Sequence, residues 1–229
     1  MKKLIISLAL LSGLMTSCSK ETENNSFVTY LPILEIKGED YIYLNSGDSY
    51  TDEGIASASI NGADCSSQVQ INGAVNPSVA DKYVINYTLV NQDGYSTTKQ
   101  RTVWIADASQ MVDVFTASME RTNAAGTKTP YQGAEIEIYL GGSADLRFIS
   151  DLMGGFYAQR AGYGPRYALN GIVKLVPDGD KFKLELISSL VEGWGYSASA
   201  FEGWFDPATA TFGWTCVMEG MTFAVTNVK

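Results

Sequence analysis

Beyond residue 18 no stretch of the chain carries a 3.6-residue apolar period. Short alternating runs bounded by Gly, Asn, Asp and Pro dominate instead. A period of two puts successive side chains on opposite faces of a strand, so the pattern restricts the fold to antiparallel sheet. In Tyr83-Val84-Ile85-Asn86-Tyr87-Thr88-Leu89, the residues Tyr83, Ile85, Tyr87 and Leu89 share one face. Asp93-Gly94 then marks a hairpin turn, because both residues tolerate positive φ, and the return strand covers residues 98–105. The same grammar recurs later. Residues 171–176 and 181–187 flank Pro177-Asp178-Gly179-Asp180, with Phe182, Leu184 and Leu186 opposed to Lys181, Lys183 and Glu185. Residues 203–205 and 212–218 flank Asp206-Pro207-Ala208-Thr209, and Phe212, Trp214, Cys216 and Met218 form one apolar face. Residues 106–110 separate the two sets. Residues 109–119 read equally as a short helix or a strand.

The N-terminus has a different pattern. Lys2 and Lys3 precede an apolar run over residues 4–15, broken only by Ser7, Ser12 and Gly13, and Thr16-Ser17-Cys18 follows. This is the layout of a secretory signal peptide, too short to remain as a spanning helix. It resembles a bacterial lipoprotein signal, with Met15 where Leu is usual and Leu14 beside it. The resemblance implies that residues 1–18 form the signal and that Cys18 is lipidated, with the membrane as a partner through the anchor. Several acyl chains, at about 0.8 kcal/mol per buried CH₂, give stable attachment. Residues 19–29 are largely polar and read as a flexible tether. Lys20 followed by Glu21 and Glu23 resembles the export tag of surface lipoproteins of the Bacteroidota type. That implies the outer membrane, facing the cell exterior; a solvated linker on a periplasm-facing lipoprotein is the alternative.

Charge and composition exclude several functions. The chain has 16 Lys+Arg against 25 Asp+Glu, a net charge of −9. Removing Lys2 and Lys3 leaves 14 cations against the same 25 acids, or −11. Such a surface repels phosphate backbones, which argues against nucleic acid as a partner, and it offers no polybasic attraction to anionic lipid. There is no histidine, which removes His-dependent nucleophile systems and the usual zinc sites. Neither a cofactor nor a metal is expected. Cys65 and Cys216 fall in different sets of strands and pair only if the two regions meet there.

Two resemblances organise the chain. Pro32-Ile33-Leu34-Glu35-Ile36-Lys37-Gly38 is followed by Gly47-Asp48-Ser49-Tyr50-Thr51-Asp52-Glu53-Gly54-Ile55-Ala56, then Asp81-Lys82-Tyr83-Val84-Ile85-Asn86-Tyr87 and Arg101-Thr102-Val103-Trp104-Ile105. This order resembles the bacterial Ig-like domain first described in insecticidal crystal toxins. It implies an Ig-like β-sandwich over residues 30–107, serving as a spacer without catalytic residues. Ile149-Ser150-Asp151-Leu152-Met153-Gly154-Gly155-Phe156-Tyr157 leads to Gly162-Tyr163-Gly164 and Tyr167. Gly193-Trp194-Gly195 and Phe205-Asp206-Pro207-Ala208-Thr209 follow. This set resembles an uncharacterised C-terminal domain of gut Bacteroidota lipoproteins, commonly joined to the Ig-like domain and often associated with glycan-utilisation systems. It implies a second antiparallel β domain, barrel or sandwich, over residues 110–229.

Aromatic residues are the leading candidates for function. Sugar rings present apolar C–H faces that stack on Trp and Tyr, while nearby carboxylates, amides and arginines bond the hydroxyls. Trp194 and Tyr196 alternate in a Gly-rich stretch, where flanking glycines suit close approach of a ligand. Tyr163 and Tyr167 lie in a second Gly- and Pro-rich loop with Arg160 and Arg166. Together they would form a platform with polar grips for a polysaccharide or oligosaccharide, or the rings would plug the end of the β domain. Trp204 and Trp214 read as core, and Trp104 as core or interdomain joint. Asp151, Glu192, Glu202 and Asp206 are available for glycoside hydrolysis, but no spacing singles them out, and no catalytic residue is assigned. Asp48, Asp52, Glu53 and Asp64 lack a calcium-loop spacing and read as solvated turn acids. The expected function is therefore non-catalytic glycan capture by the C-terminal domain. A subunit docking on outer-membrane transporter proteins, and a small-molecule or lipid carrier built on a hollow barrel, are the alternatives.

Overall fold

The computed structural model describes residues 28–227. The signal peptide, Cys18 and residues 19–27 of the tether lie outside the described residues. The N-terminal part contains β1 (Ile33–Ile36), β2 (Tyr41–Asn45), β3 (Ile55–Ile60), β4 (Ala63–Asp64), β5 (Gln70–Asn72), β6 (Asp81–Val90) and β7 (Ser96–Ala106). They form two sheets, in the orders β1-β3-β4 and β2-β7-β6-β5. The alternation in β6 buries Ile85, Tyr87 and Leu89 against Leu34, Ala58 and Cys65, which makes the sandwich core. Gly94, at φ +86°, turns β6 into β7. One pairing departs from the antiparallel expectation: β2 runs parallel to β7, from Tyr41 opposite Thr102 to Asn45 opposite Ala106. After β1 the chain crosses to the other sheet and reaches the free side of β7 in the same direction, a crossing that strand periodicity does not encode.

Eight further strands follow: β8 (Asp113–Thr122), β9 (Lys128–Leu140), β10 (Leu146–Ile149), β11 (Leu169–Asp178), β12 (Lys181–Val191), β13 (Ala200–Asp206), β14 (Thr211–Met218) and β15 (Met221–Asn227). Each pairs antiparallel with the next, and β15 pairs with β8, closing a barrel. Between β7 and β8 the chain makes only a short turn at Ala108–Gln110, so most of the 109–119 stretch is strand rather than helix.

Barrels of eight strands have just enough interior for side chains, and this one is filled. Phe115, Ile136, Phe205, Phe212, Trp214 and Phe223 point inward and are buried. The segment after β10 adds a plug, with Leu152, Met153 and Phe156 buried inside the same cluster. Trp214 Nε1 donates to the Leu152 carbonyl at 2.8 Å, and Cys216 Sγ donates to the same oxygen at 3.2 Å. Gly154, at φ +59°, sits where a Cβ would come within 2.7 Å of Met119 Cβ, so only glycine lets the plug enter. The carrier reading required an apolar hollow, and these side chains occupy that space.

One reading of a single residue needs correction. Trp204 is not core: it is 43% exposed, because its neighbour Phe205 takes the inward position and alternation sends Trp204 outward. Cys65 and Cys216 are both free and buried, each in its own core, so they do not pair. Trp104 packs at the joint, fully buried with Ala80 and Val112 and flanked by Val114, Tyr139 and Leu140. Lys82 Nζ meets Glu137 Oε2 at 2.5 Å and lies 5.5 Å from both the Trp104 and Tyr139 ring centroids. The Leu140 N–H donates to the Asp81 carboxylate at 3.0 Å, and Tyr43 Oη donates to Asp113.

Candidate functional site

Two loops at one end of the barrel carry the five residues singled out for ligand binding. In the first loop Gly155, at φ +76°, opens a single π turn over Phe156–Arg160. Gly162 and Gly164 also take positive φ, and Pro165 then starts a short helical turn, Pro165–Tyr167. These left-handed positions suit glycine and allow the loop to double back, which brings Tyr157, Tyr163 and Tyr167 together. The second loop follows β12. Val191 N–H donates to the Tyr196 carbonyl and Gly195 N–H to the Val191 carbonyl, each at 2.7 Å, so Trp194 and Tyr196 project from a tight turn. The Gly193 N–H donates to the Arg166 carbonyl at 2.8 Å and ties the two loops.

The structure brings Tyr163, Tyr167, Trp194 and Tyr196 into one cluster. Trp194 is its hub, with ring centroids 4.9 Å from Tyr157 and Tyr167 and 6.2 Å from Tyr163 and Tyr196. Most contacts are edge-to-face: the Tyr157–Trp194 and Tyr163–Trp194 planes meet at 88° and 87°. Such pairs stabilise by about 0.5–1.5 kcal/mol each beyond burial, so the rings form an interlocked cap rather than a flat platform. Tyr157, Tyr167 and Trp194 are half-buried, while Tyr163 and Tyr196 are 55% and 44% exposed. The faces open to a ligand belong to those two tyrosines. Tyr157 is the member that sequence reasoning missed; its signal was its place directly after Gly154-Gly155-Phe156.

The glycine argument also changes. A Cβ at Gly193 would lie 2.7 Å from Tyr167 Cε1. The close approach that demands glycine there is made by the Tyr167 ring and not by a ligand. Gly195, by contrast, has open space around it and a φ of +73°.

Arg166 and Glu192 stand on the rim 3.8 Å apart, both well exposed. Exposed pairs of this kind add little stability, which leaves both groups free to bond hydroxyls. They border a cleft of about 760 Å³ that Gln159, Asn170 and Glu135 also line. Arg160 is turned away, its guanidinium 5.1 Å from the Phe156 ring centroid.

Of the four carboxylates considered for hydrolysis, Asp151 and Glu192 border this cleft and Glu202 and Asp206 do not. Asp151 is buried and accepts from the backbone N–H groups of Met153, Leu169 and Gly155 at 2.9, 3.1 and 3.2 Å. Desolvation pushes it up to about 6, against those three bonds. Asp206 is held by Lys181 at 3.1 Å, and Glu202 lines a different groove. Among the described residues no group of three or more acids and cysteines is placed to hold a metal. Asp52 proves to be an ion-pair partner of the buried Arg101, and its carboxylate also accepts from Tyr87 Oη at 2.6 Å.

An Ig-like sandwich followed by a closed, plugged barrel defines an all-β protein of two domains. The bacterial surface protein Ig-like family matches residues 34–105, and a C-terminal domain family model matches residues 106–229. The chain belongs to the family of the lipoprotein BT2262 from Bacteroides thetaiotaomicron. The crystal structure of that protein aligns at 32% identity over 87% of this chain and 100% of its own, with a TM-score of 0.56. Two structures from Clostridium perfringens ZmpB also align. The M60 catalytic domain with CBM51-1 and CBM51-2 gives 12% identity over 89% of this chain and 22% of its own, at a TM-score of 0.28. CBM51-2 in complex with GlcNAc and INT domains gives 14% over 86% and 44%, at 0.26. Both fall below the level of a shared fold. No curated protein matches the chain.

Proposed function

We propose that this protein is an outer-membrane lipoprotein, anchored through Cys18 and facing the cell exterior, that captures a glycan without chemically altering it. The Ig-like domain is the spacer and the barrel is the recognition domain. The observation that carries this reading is the convergence of Tyr163, Tyr167, Trp194 and Tyr196 from two separate loops, with Tyr163 and Tyr196 left exposed. Sugar C–H faces pack on these tyrosines, and Arg166 and Glu192 bond the hydroxyls around the ring.

The test is a glycan array probed with residues 19–229, wild type beside the Tyr163→Ala, Tyr196→Ala double variant. Both positions are exposed, so the variant keeps its circular dichroism spectrum. Binding to a defined polysaccharide that disappears in the variant supports capture at the cap. An absence of binding across the array sinks it in favour of a second reading, a protein-docking subunit of an uptake complex. Exposed Ile187 and Leu190 on β12 favour that second reading.

A further inference from the structure

The outer wall of the barrel carries a feature unrelated to the cap. Cross-strand partners share a face of a sheet, so the register maps what surrounds the outward-facing Trp204. Lys183 pairs with Trp204, Trp204 with Gly213, Gly213 with Thr226, and Thr226 with Ser118. One step along, Glu202 pairs with Thr215, Thr215 with Ala224, Ala224 with Glu120, and Glu120 with Pro130. In the second row Glu202 and Glu120 stand at either side; in the first Trp204 stands at one side and the far side falls away to Ser118. Gly213, Thr226, Thr215 and Ala224 make a low floor between them. The result is a groove of about 650 Å³.

Packing does not account for a tryptophan at its edge. The barrel interior is already closed by Trp214 and Phe205, and an exposed indole contributes little to folding. Its orientation is nevertheless fixed. A Cβ on Gly213 would meet Trp204 Nε1 at 3.0 Å and Cε2 at 3.2 Å, so the indole leans over a position kept bare for it. Lys181 steadies it from 5.5 Å while bound to Asp206. A rigid ring beside a small, hydroxyl-bearing floor suits a flat ligand with an apolar face and a polar perimeter. Glu202, Glu120, Asp178 and Lys183 line the groove, Lys128 bonds Glu120 at 2.8 Å, and Lys181 stands beside Trp204. The carboxylates accept hydroxyl donors, and the balanced charge around them gives an acidic sugar no advantage.

We propose that this groove is a second saccharide site, in which an uncharged hexopyranose stacks on Trp204 while Glu202 and Glu120 accept its hydroxyl protons. The site stands on the Trp204 face alone and does not require the cap to bind anything.

The experiment is iodide quenching of tryptophan fluorescence, with isothermal titration alongside, on residues 19–229. The probes are cellohexaose, xylohexaose, mannohexaose and chitohexaose, with hexagalacturonate as the charged control. Trp104 and Trp214 are buried, so protection from iodide reports mainly on Trp204 and Trp194. At least one neutral hexasaccharide is expected to bind and to protect the fluorescence. Trp204→Ala should weaken that binding about tenfold or more, Trp204→Phe less, and the Tyr163→Ala, Tyr196→Ala variant should leave the Trp204-dependent binding intact. The proposal is overturned if no neutral hexasaccharide binds, if folded Trp204→Ala binds like wild type, or if hexagalacturonate binds equally well. Loss in the tyrosine variant alone, with Trp204→Ala unaffected, overturns this site and leaves the cap standing.

Discussion

Asp151 gives the sharpest test of how the barrel is built. Its carboxylate holds the plug in place by accepting from three backbone N–H groups, two on one oxygen and the longest, from Gly155, on the other. Hydrogen bonds to a carboxylate favour the charged form, while full burial opposes it. Burial wins, and the group is pushed up to about 6 from its ordinary 3.8. The folded state therefore binds this proton more tightly than the unfolded chain. Stability falls as pH rises from about 4 to about 6 and stays level above that. The whole effect is about 3 kcal/mol, most of it between pH 7 and pH 4.

Asp151→Asn removes the titration while keeping an oxygen for Met153 and Leu169. Urea unfolding of both proteins at pH 7 and pH 4 cancels every other titratable group, because the two chains share them. Wild type should gain about 2 kcal/mol relative to the variant on going from pH 7 to pH 4. Parallel pH curves would refute the claim that burial dominates. A change of opposite sign would mean that the three N–H groups hold the carboxylate charged.

Gly193→Ala should drive the new methyl into the Tyr167 ring, 2.7 Å from Cε1, costing about 1–3 kcal/mol and loosening the cap. The thermal midpoint and the emission of Trp194 report it, and an unchanged protein would show that Tyr167 has room to move. At the joint, the Lys82–Glu137 contact is partly buried and lies between two rings. A double-mutant cycle with Lys82→Ala and Glu137→Ala should give a coupling of about 1 kcal/mol; a value near zero would mean that apolar packing around Trp104 holds the joint alone.

Much of the architecture follows from periodicity, and the exceptions have a common cause. In β14 the alternation of Phe212, Trp214, Cys216 and Met218 alone tells which residues line the interior. Gly203-Trp204-Phe205 does not have that clarity, since two large apolar residues stand side by side and alternation says only that they face opposite ways. The parity is decided one strand away. Lys183 lies between Phe182 and Leu184, which face the core, so it is outside, and its partner Trp204 must be outside with it. Arg101 fails for a similar reason: a cation in a strand reads as solvent-facing, yet this one is 1% exposed, bonded to Tyr87, Asp52 and the Glu39 carbonyl. Each of these partners comes from elsewhere in the chain. The cap repeats the lesson. Composition placed its tyrosines and tryptophan in two Gly-rich loops, but ring angle and exposure depend on how those loops meet. That meeting makes Tyr163 and Tyr196 available and confines Tyr167 and Trp194, so an alanine scan of the exposed pair reads binding while one of the confined pair reads folding.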